Sequence, residues 1–95
     1  MVVVLDLVVN AQARRKLRAR RITVEELEEV LALGPLVDDN PGPRVAGSRI
    51  VIGPTLAARF LTIVLQPDEA STTTWHVMSA WKSSARQIAD YQRDS

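Results

Sequence analysis

The chain has 95 residues, of which 46% are hydrophobic and 24% charged, and its formal net charge is +1. This length and hydrophobic fraction predict one globular domain over residues 1–95 and exclude wholesale disorder. Because the chain has no cysteine, a disulfide scaffold, a thiol nucleophile and a thiolate metal site are excluded. Its single histidine falls short of the ligands that a zinc site needs. We therefore expect neither a metal nor a cofactor.

Apolar runs are short throughout the sequence. Val2–Leu5, for example, is far below the ~20 residues that a membrane helix requires. The start also lacks the basic segment of a signal peptide, and Asp6 interrupts its β-branched run. We therefore expect a cytoplasmic protein that does not cross a membrane.

The first third of the chain predicts a strand followed by two helices. Val2–Val9 is β-branched, and because it is apolar on both faces apart from Asp6 it predicts a strand covered on both sides. Asn10 is a suitable N-cap for a first helix from Ala11 to about Arg20.

The second helix has the clearest local signal. Thr23 followed by Glu26 is a capping box, and Ile22 and Leu27 are spaced to form a hydrophobic staple. Gly34 is the residue expected just after the end of the helix.

The remainder of the chain predicts short strands and a final helix. Turn residues fill Asp38–Gly47, and the connections between the later strands are short enough to indicate antiparallel neighbours. We expect an α+β domain: an N-terminal strand and two helices, an antiparallel sheet of three to four strands, and a C-terminal helix. The predicted elements are strands at Arg49–Ile52, Arg59–Gln66 and Thr73–Ala80, a shorter one at Leu36–Asp39, and a helix over Ala85–Tyr91 capped by Ser83 or Ser84.

Basic residues are concentrated in one stretch, which covers most of the first helix and the residues just after it. Guanidinium groups pair bidentately with phosphate oxygens, so an arginine-rich block suits an anionic ligand, although a solvated helix face explains it equally well. Six of the twelve basic residues lie here: Arg14, Arg15, Lys16, Arg18, Arg20 and Arg21.

The last predicted strand carries the candidate acid–base chemistry. Strict alternation places Trp75, Val77, Ser79 and Trp81 on the helix-covered face, and His76, Met78, Ala80 and Lys82 on the open face. An imidazole is the side chain whose ordinary pKa suits proton transfer near neutrality. The alternative interpretation is a solvent-exposed histidine without a role.

Three blocks together resemble the BrnT-like branch of the RelE-type toxins, which are small ribonucleases of bacterial type II toxin–antitoxin pairs. Ala13–Leu31 is similar to the family's basic helix, turn and acidic helix, and Arg49–Leu65 to its two central strands. Trp75–Tyr91 is similar to its ending, in which a strand leads into a helix. The sequence departs from the family pattern in having Arg20-Arg21 for a His-Gly pair, Trp81 for an arginine and His76 for a frequent arginine.

The resemblance implies a metal-independent endoribonuclease that cleaves mRNA by attack of a 2′-hydroxyl on the adjacent phosphate. It implies His76 as acid or base with Arg20 and Lys82 as phosphate clamps, and Arg18, Arg59 and Trp81 as RNA-binding residues. The implied partners are RNA and an antitoxin protein, and pairing through the first strand would give a homodimer. Two alternatives stay open: a non-catalytic relative that binds proteins, and an RNA-binding domain that does not cleave.

Overall fold

The computed structural model describes residues 6–39 and 47–94, which form an α+β domain. The part of the predicted first strand at residues 2–5 lies outside the described residues. Most of the predicted elements are present with shifts of one or two residues at their ends. The elements are β1 (Asp6–Val8), α1 (Ala11–Ala19), α2 (Val24–Ala32), β2 (Leu36–Asp39), β3 (Arg49–Pro54), β4 (Phe60–Pro67), β5 (Thr74–Lys82) and α3 (Ala85–Asp94).

The predicted helix caps are confirmed. The Asn10 side chain accepts a hydrogen bond from the Ala13 amide, with 2.8 Å between the heavy atoms. At the start of α2 both bonds of the capping box between Thr23 and Glu26 are present. Gly34 follows α2 with φ +71°, a left-handed conformation that favours glycine.

The five strands form one mixed sheet in the order β1-β5-β4-β3-β2. Strands β2 to β5 are antiparallel neighbours, as predicted, but β1 pairs parallel with β5. The predicted antiparallel sheet of three to four strands is therefore present as β2 to β5, but it is part of a mixed sheet of five strands. Two helices and three further strands separate β1 from β5, and this long crossover allows a parallel pair.

The prediction that the first strand is covered on both sides was wrong for its described part. Within the described residues β1 is an edge strand, with β5 as its one neighbour. Leu7 packs against the core, but Val8 on the opposite face of the strand is 39% exposed.

The two faces of the sheet carry different helices. On one face, α1 and α2 cover the main core, to which β3, β4 and β5 contribute buried apolar side chains. On the other face, α3 packs through Thr62, whose hydroxyl bonds to Ser83 and Gln87, and through an edge-on contact between Phe60 and Tyr91. The core comprises Leu17, Ile22, Leu27, Val30, Val51, Leu61, Ile63, Leu65, Trp75, Val77 and Ala80.

A β-bulge at Met78 interrupts the alternation of β5. Val77 pairs with Leu65 and Ser79 with Val64, so Met78 is the extra residue. Trp75 and Val77 lie in the core as predicted, but beyond the bulge the two sets exchange places. Ala80, predicted to face outward, is fully buried opposite Ile63. Ser79 and Trp81 turn to the face that carries α3.

None of the helices in the described part of the chain combines the length and apolar character that crossing a membrane requires.

Candidate functional site

His76 lies on the sheet face opposite α1 and α2. It is the register partner of Gln66 on β4 and of Val8 on β1, and its side chain is 37% exposed. The imidazole opens onto a surface cleft of about 520 Å³. The cleft is lined by Asn10, Gln66, Pro67, Asp68, Glu69, Ala70, His76 and Met78.

Asp68 holds the imidazole of His76. The distance between the Asp68 Oδ1 and His76 Nε2 atoms is 2.7 Å. The second carboxylate oxygen of Asp68 accepts a hydrogen bond from the Ala70 amide at 3.0 Å. The hydrogen bond from His76, followed by that from Ala70, lowers the pKa of the Asp68 carboxyl, so this group is a carboxylate at neutral pH.

Asp68 was not among the predicted site residues. Its position follows from the hairpin between β4 and β5, because Pro67 and Trp75 are register partners and the connecting segment therefore returns beside His76. The sequence signal was the Pro67-Asp68 pair at the end of a predicted strand, eight residues before the histidine. Without the register of the hairpin, that spacing has no structural meaning.

Arg20 lies at the end of α1 and reaches the outer edge of β5. Its Nη1 atom donates to the Ser79 hydroxyl at 2.9 Å and to the Ala80 carbonyl at 2.8 Å. One turn earlier, Lys16 Nζ donates to the Met78 carbonyl at 3.3 Å. Because β1 pairs with β5 only as far as His76, cationic side chains satisfy these carbonyls in place of a strand.

Lys82 does not join His76 in one site. The two residues are six positions apart on β5, which corresponds to about 20 Å along a strand. Lys82 is opposite Leu61 and therefore on the face that carries α1 and α2, because the bulge reverses the alternation. Arg20 bonds between them, at Ser79 and Ala80, about 10 Å from His76 along the strand. The three predicted catalytic residues therefore do not surround one phosphate.

The three predicted RNA-binding residues are also dispersed. Arg59 is occupied internally: its guanidinium donates to the carbonyls of Arg20 and Arg21 and forms an ion pair with Glu26 at 3.2 Å. Arg18 is exposed on α1 beside a cleft of about 440 Å³ between α1 and α2. Trp81 is half-buried on the α3 face, opposite Thr62.

The chemistry available at the cleft is proton transfer. Its lining contains a histidine and two acidic residues but no lysine or arginine. A phosphate bound near His76 would therefore need a positively charged partner from outside the cleft, such as Arg20. Over residues 6–39 and 47–94 the structure contains no cluster of three or more side chains suited to hold a metal ion. The arrangement is a histidine–carboxylate pair on β5 and its hairpin. Farther along β5, the guanidinium of Arg20 from the end of α1 is hydrogen-bonded to the strand.

Comparison with known proteins adds no family: no protein-family model and no curated protein matches the chain.

Proposed function

We propose that this chain is a metal-independent endoribonuclease with a RelE-like fold, acting in the cytoplasm as the toxin of a bacterial type II toxin–antitoxin pair. The resemblance of the sequence to the BrnT-like branch gives the functional class. The order of a strand, two helices, four antiparallel strands and a helix is compatible with it. The observation that carries the proposal is the accessible imidazole of His76, hydrogen-bonded to Asp68 and lying on the same strand as the residues that anchor Arg20.

In the proposed reaction, His76 is the general base. The 2′-hydroxyl of the RNA gives its proton to the imidazole, the O2′–P bond forms and the P–O5′ bond breaks. The departing O5′ takes a proton from water in the open cleft, which leaves a 2′,3′-cyclic phosphate on one product and a 5′-hydroxyl on the other. The imidazolium then returns its proton to solvent.

Arg20 supplies positive charge in this proposal. Its Nε and Nη2 atoms have no partner among the described residues, so they are available to phosphate oxygens while Nη1 stays bonded to β5. Lys82 and Arg59 are left out of the catalytic set, the first because of its distance and face, the second because of its internal bonds. The exposed arginines of α1, including Arg18, extend the positive surface for the RNA backbone.

The first test is cleavage of a labelled single-stranded RNA by the purified protein in the presence of EDTA. We expect His76→Ala to lower the cleavage rate by roughly 100-fold or more, the usual contribution of a general base. Lys82→Ala is the matched control, because it removes a charge from the same strand, and its rate should stay within about twofold of wild type at saturating RNA.

The same pair of variants can be compared in a bacterium by inducing expression and mapping transcript ends. Growth arrest with new ends is expected for wild type and for Lys82→Ala, but not for His76→Ala. Equal activity of His76→Ala and wild type would rule out the assigned base.

A second candidate function is protein binding without catalysis. The feature that favours it is the exposed basic surface of α1, where Arg15 and Arg18 have no side-chain partner among the described residues. Arg18 lines a cleft other than that of His76. An acidic antitoxin would suit this surface, and β1 offers an edge for a homodimer. Co-purification with the product of an adjacent reading frame, without RNA cleavage when that partner is removed, would favour this function.

A further inference from the structure

The carboxylate of Asp68 bonds to one particular nitrogen of His76. A carboxylate accepts hydrogen bonds and does not donate them, so the Nε2 atom at 2.7 Å carries the hydrogen. In a neutral imidazole the other ring nitrogen, Nδ1, then has the free lone pair. The Asp68 bond therefore distinguishes the two nitrogens, which exchange roles in a free histidine.

We infer that Asp68 is a positioning residue that fixes the Nε2–H tautomer of His76, so that Nδ1 is the atom that accepts the proton of the 2′-hydroxyl. The catalytic part of this inference rests on the proposed function, whereas the tautomer is a property of the protein alone. When Nδ1 takes the proton, the imidazole becomes a cation and its Nε2–H bond to the Asp68 carboxylate becomes an ion pair. Asp68 keeps its negative charge throughout and stabilises that cation.

The segment between β4 and β5 does not need the Asp68–His76 bond for its closure. The Asp68 amide donates to the Thr74 carbonyl at 3.1 Å, which closes the hairpin through the backbone. The Ser71 hydroxyl accepts from the Thr73 amide at 3.3 Å and from the Thr74 hydroxyl at 3.1 Å. Because these bonds already define the turn, the carboxylate is left to act on the imidazole.

Contacts other than that with His76 also hold Asp68 in place. Its backbone is fixed by the hairpin bond to Thr74, and its Oδ2 atom is held by the Ala70 amide at 3.0 Å. Oδ1 is then directed at His76 with little freedom to rotate. A group that orients a catalytic base acts through this kind of restraint, since the base must keep one tautomer and one ring orientation during proton transfer.

The decisive experiment is a long-range ¹H–¹⁵N spectrum of the His76 ring, recorded at a pH where the imidazole is neutral. The single histidine of the chain makes its assignment unambiguous. Wild type should show a protonated Nε2 and an unprotonated Nδ1. Asp68→Ala should show averaged shifts of the two tautomers. Ser71→Ala, which weakens the same turn without touching the pair, should keep the wild-type pattern.

The kinetic counterpart uses the same variants on RNA. Asp68→Ala should lower kcat by roughly tenfold or more and leave KM nearly unchanged, because Asp68 acts on His76 and not on RNA. Ser71→Ala should retain wild-type kcat. Amide spectra of each variant show whether the fold is kept.

The outcomes separate the two proposals. An unchanged Nε2–H tautomer in Asp68→Ala would overturn the inference. A wild-type kcat in that variant would overturn its catalytic part. If the tautomer depends on Asp68 but the wild-type protein cleaves no RNA, the proposed function fails together with the catalytic part of the inference. The tautomer assignment would stand in that case.

Discussion

The two halves of β5 satisfy their outer edge in different ways. In the first half, Thr74–Val77, the edge pairs with the backbone of β1 as far as His76. In the second half, Met78–Lys82, the carbonyls of Met78 and Ala80 accept from the side chains of Lys16 and Arg20. The bulge at Met78 separates the two halves.

This difference explains why the histidine and the cations occupy separate places. The backbone of β1 occupies the outer edge of the first half, and the cleft of His76 has no lysine or arginine in its lining. Where the neighbouring strand ends, basic side chains of α1 reach the edge and bring positive charge with them. An unpaired edge also invites association with other chains, and cationic side chains are one of the devices that block it.

The largest effect on stability should come from enlarging the side chain at Ala80. This residue is fully buried opposite Ile63 only because the bulge reverses the alternation. Ala80→Leu should therefore overpack the core and lower the free energy of unfolding by about 2–3 kcal/mol. Urea denaturation monitored by tryptophan fluorescence measures this change.

Met78→Leu is the matched control, since Met78 is 41% exposed and the volume changes little. Its stability should stay within about 0.5 kcal/mol of wild type. A regular strand without the bulge would place Ala80 outside, so a harmless Ala80→Leu substitution would contradict the described register.

A smaller effect on stability is expected from removing Arg20, whose side chain bonds to the second half of β5. Arg20→Ala leaves the Ala80 carbonyl and the Ser79 hydroxyl without their donor and should lower the free energy of unfolding by about 1 kcal/mol. Arg18→Ala removes the same charge from the same helix, but the Arg18 side chain has no hydrogen-bond partner among the described residues, so stability should change by less than about 0.5 kcal/mol. Equal effects of the two substitutions would show that charge, and not edge capping, is what matters.

The smallest effect concerns the first half of β5, where the contribution of Asp68 to stability should depend on pH. The hydrogen bond from His76 lowers the pKa of Asp68, so this carboxyl stabilises the fold above its ordinary pKa of about 4. That contribution is lost as the pH falls through the lowered pKa of the folded protein. The stability difference between wild type and Asp68→Asn should therefore be present at pH 5–6 and shrink at more acidic pH.

Urea denaturation at a series of pH values tests this expectation. Glu26 also has a lowered pKa, chiefly because the Thr23 amide donates to it, and it should make the same contribution in both proteins. A difference that stays constant down to the most acidic pH would contradict the role of Asp68.

The fold was predictable to the extent that local chemistry determines it. The Asn10 cap, the Thr23–Glu26 capping box and the short antiparallel connections all have signatures within a few residues. The parallel placement of β1 depends on where a chain returns after two helices and three strands, and no local pattern contains that information. The bulge at Met78 likewise depends on the register with β4.

The candidate site was less predictable for the same reason. His76 was recognisable as the only imidazole, but Asp68 became relevant only through the hairpin that brings it back to the strand. Arg59 belonged to the same charge class as Arg20, yet Glu26 and two carbonyls bind it internally. Residue type indicates which groups are able to act, whereas their partners depend on tertiary contacts.

The bonds made by Arg59 have a further consequence for Arg20. Arg59 Nη2 donates to the main-chain carbonyl of Arg20 at 3.2 Å, while the guanidinium of Arg20 is bonded to β5. Arg20 is thus tethered at both its backbone and its tip, unlike a free surface arginine that samples many rotamers. Part of the conformational entropy that this side chain would lose on binding a polyanion is therefore already lost in the unbound protein. Binding should cost less entropy here than at a freely rotating arginine.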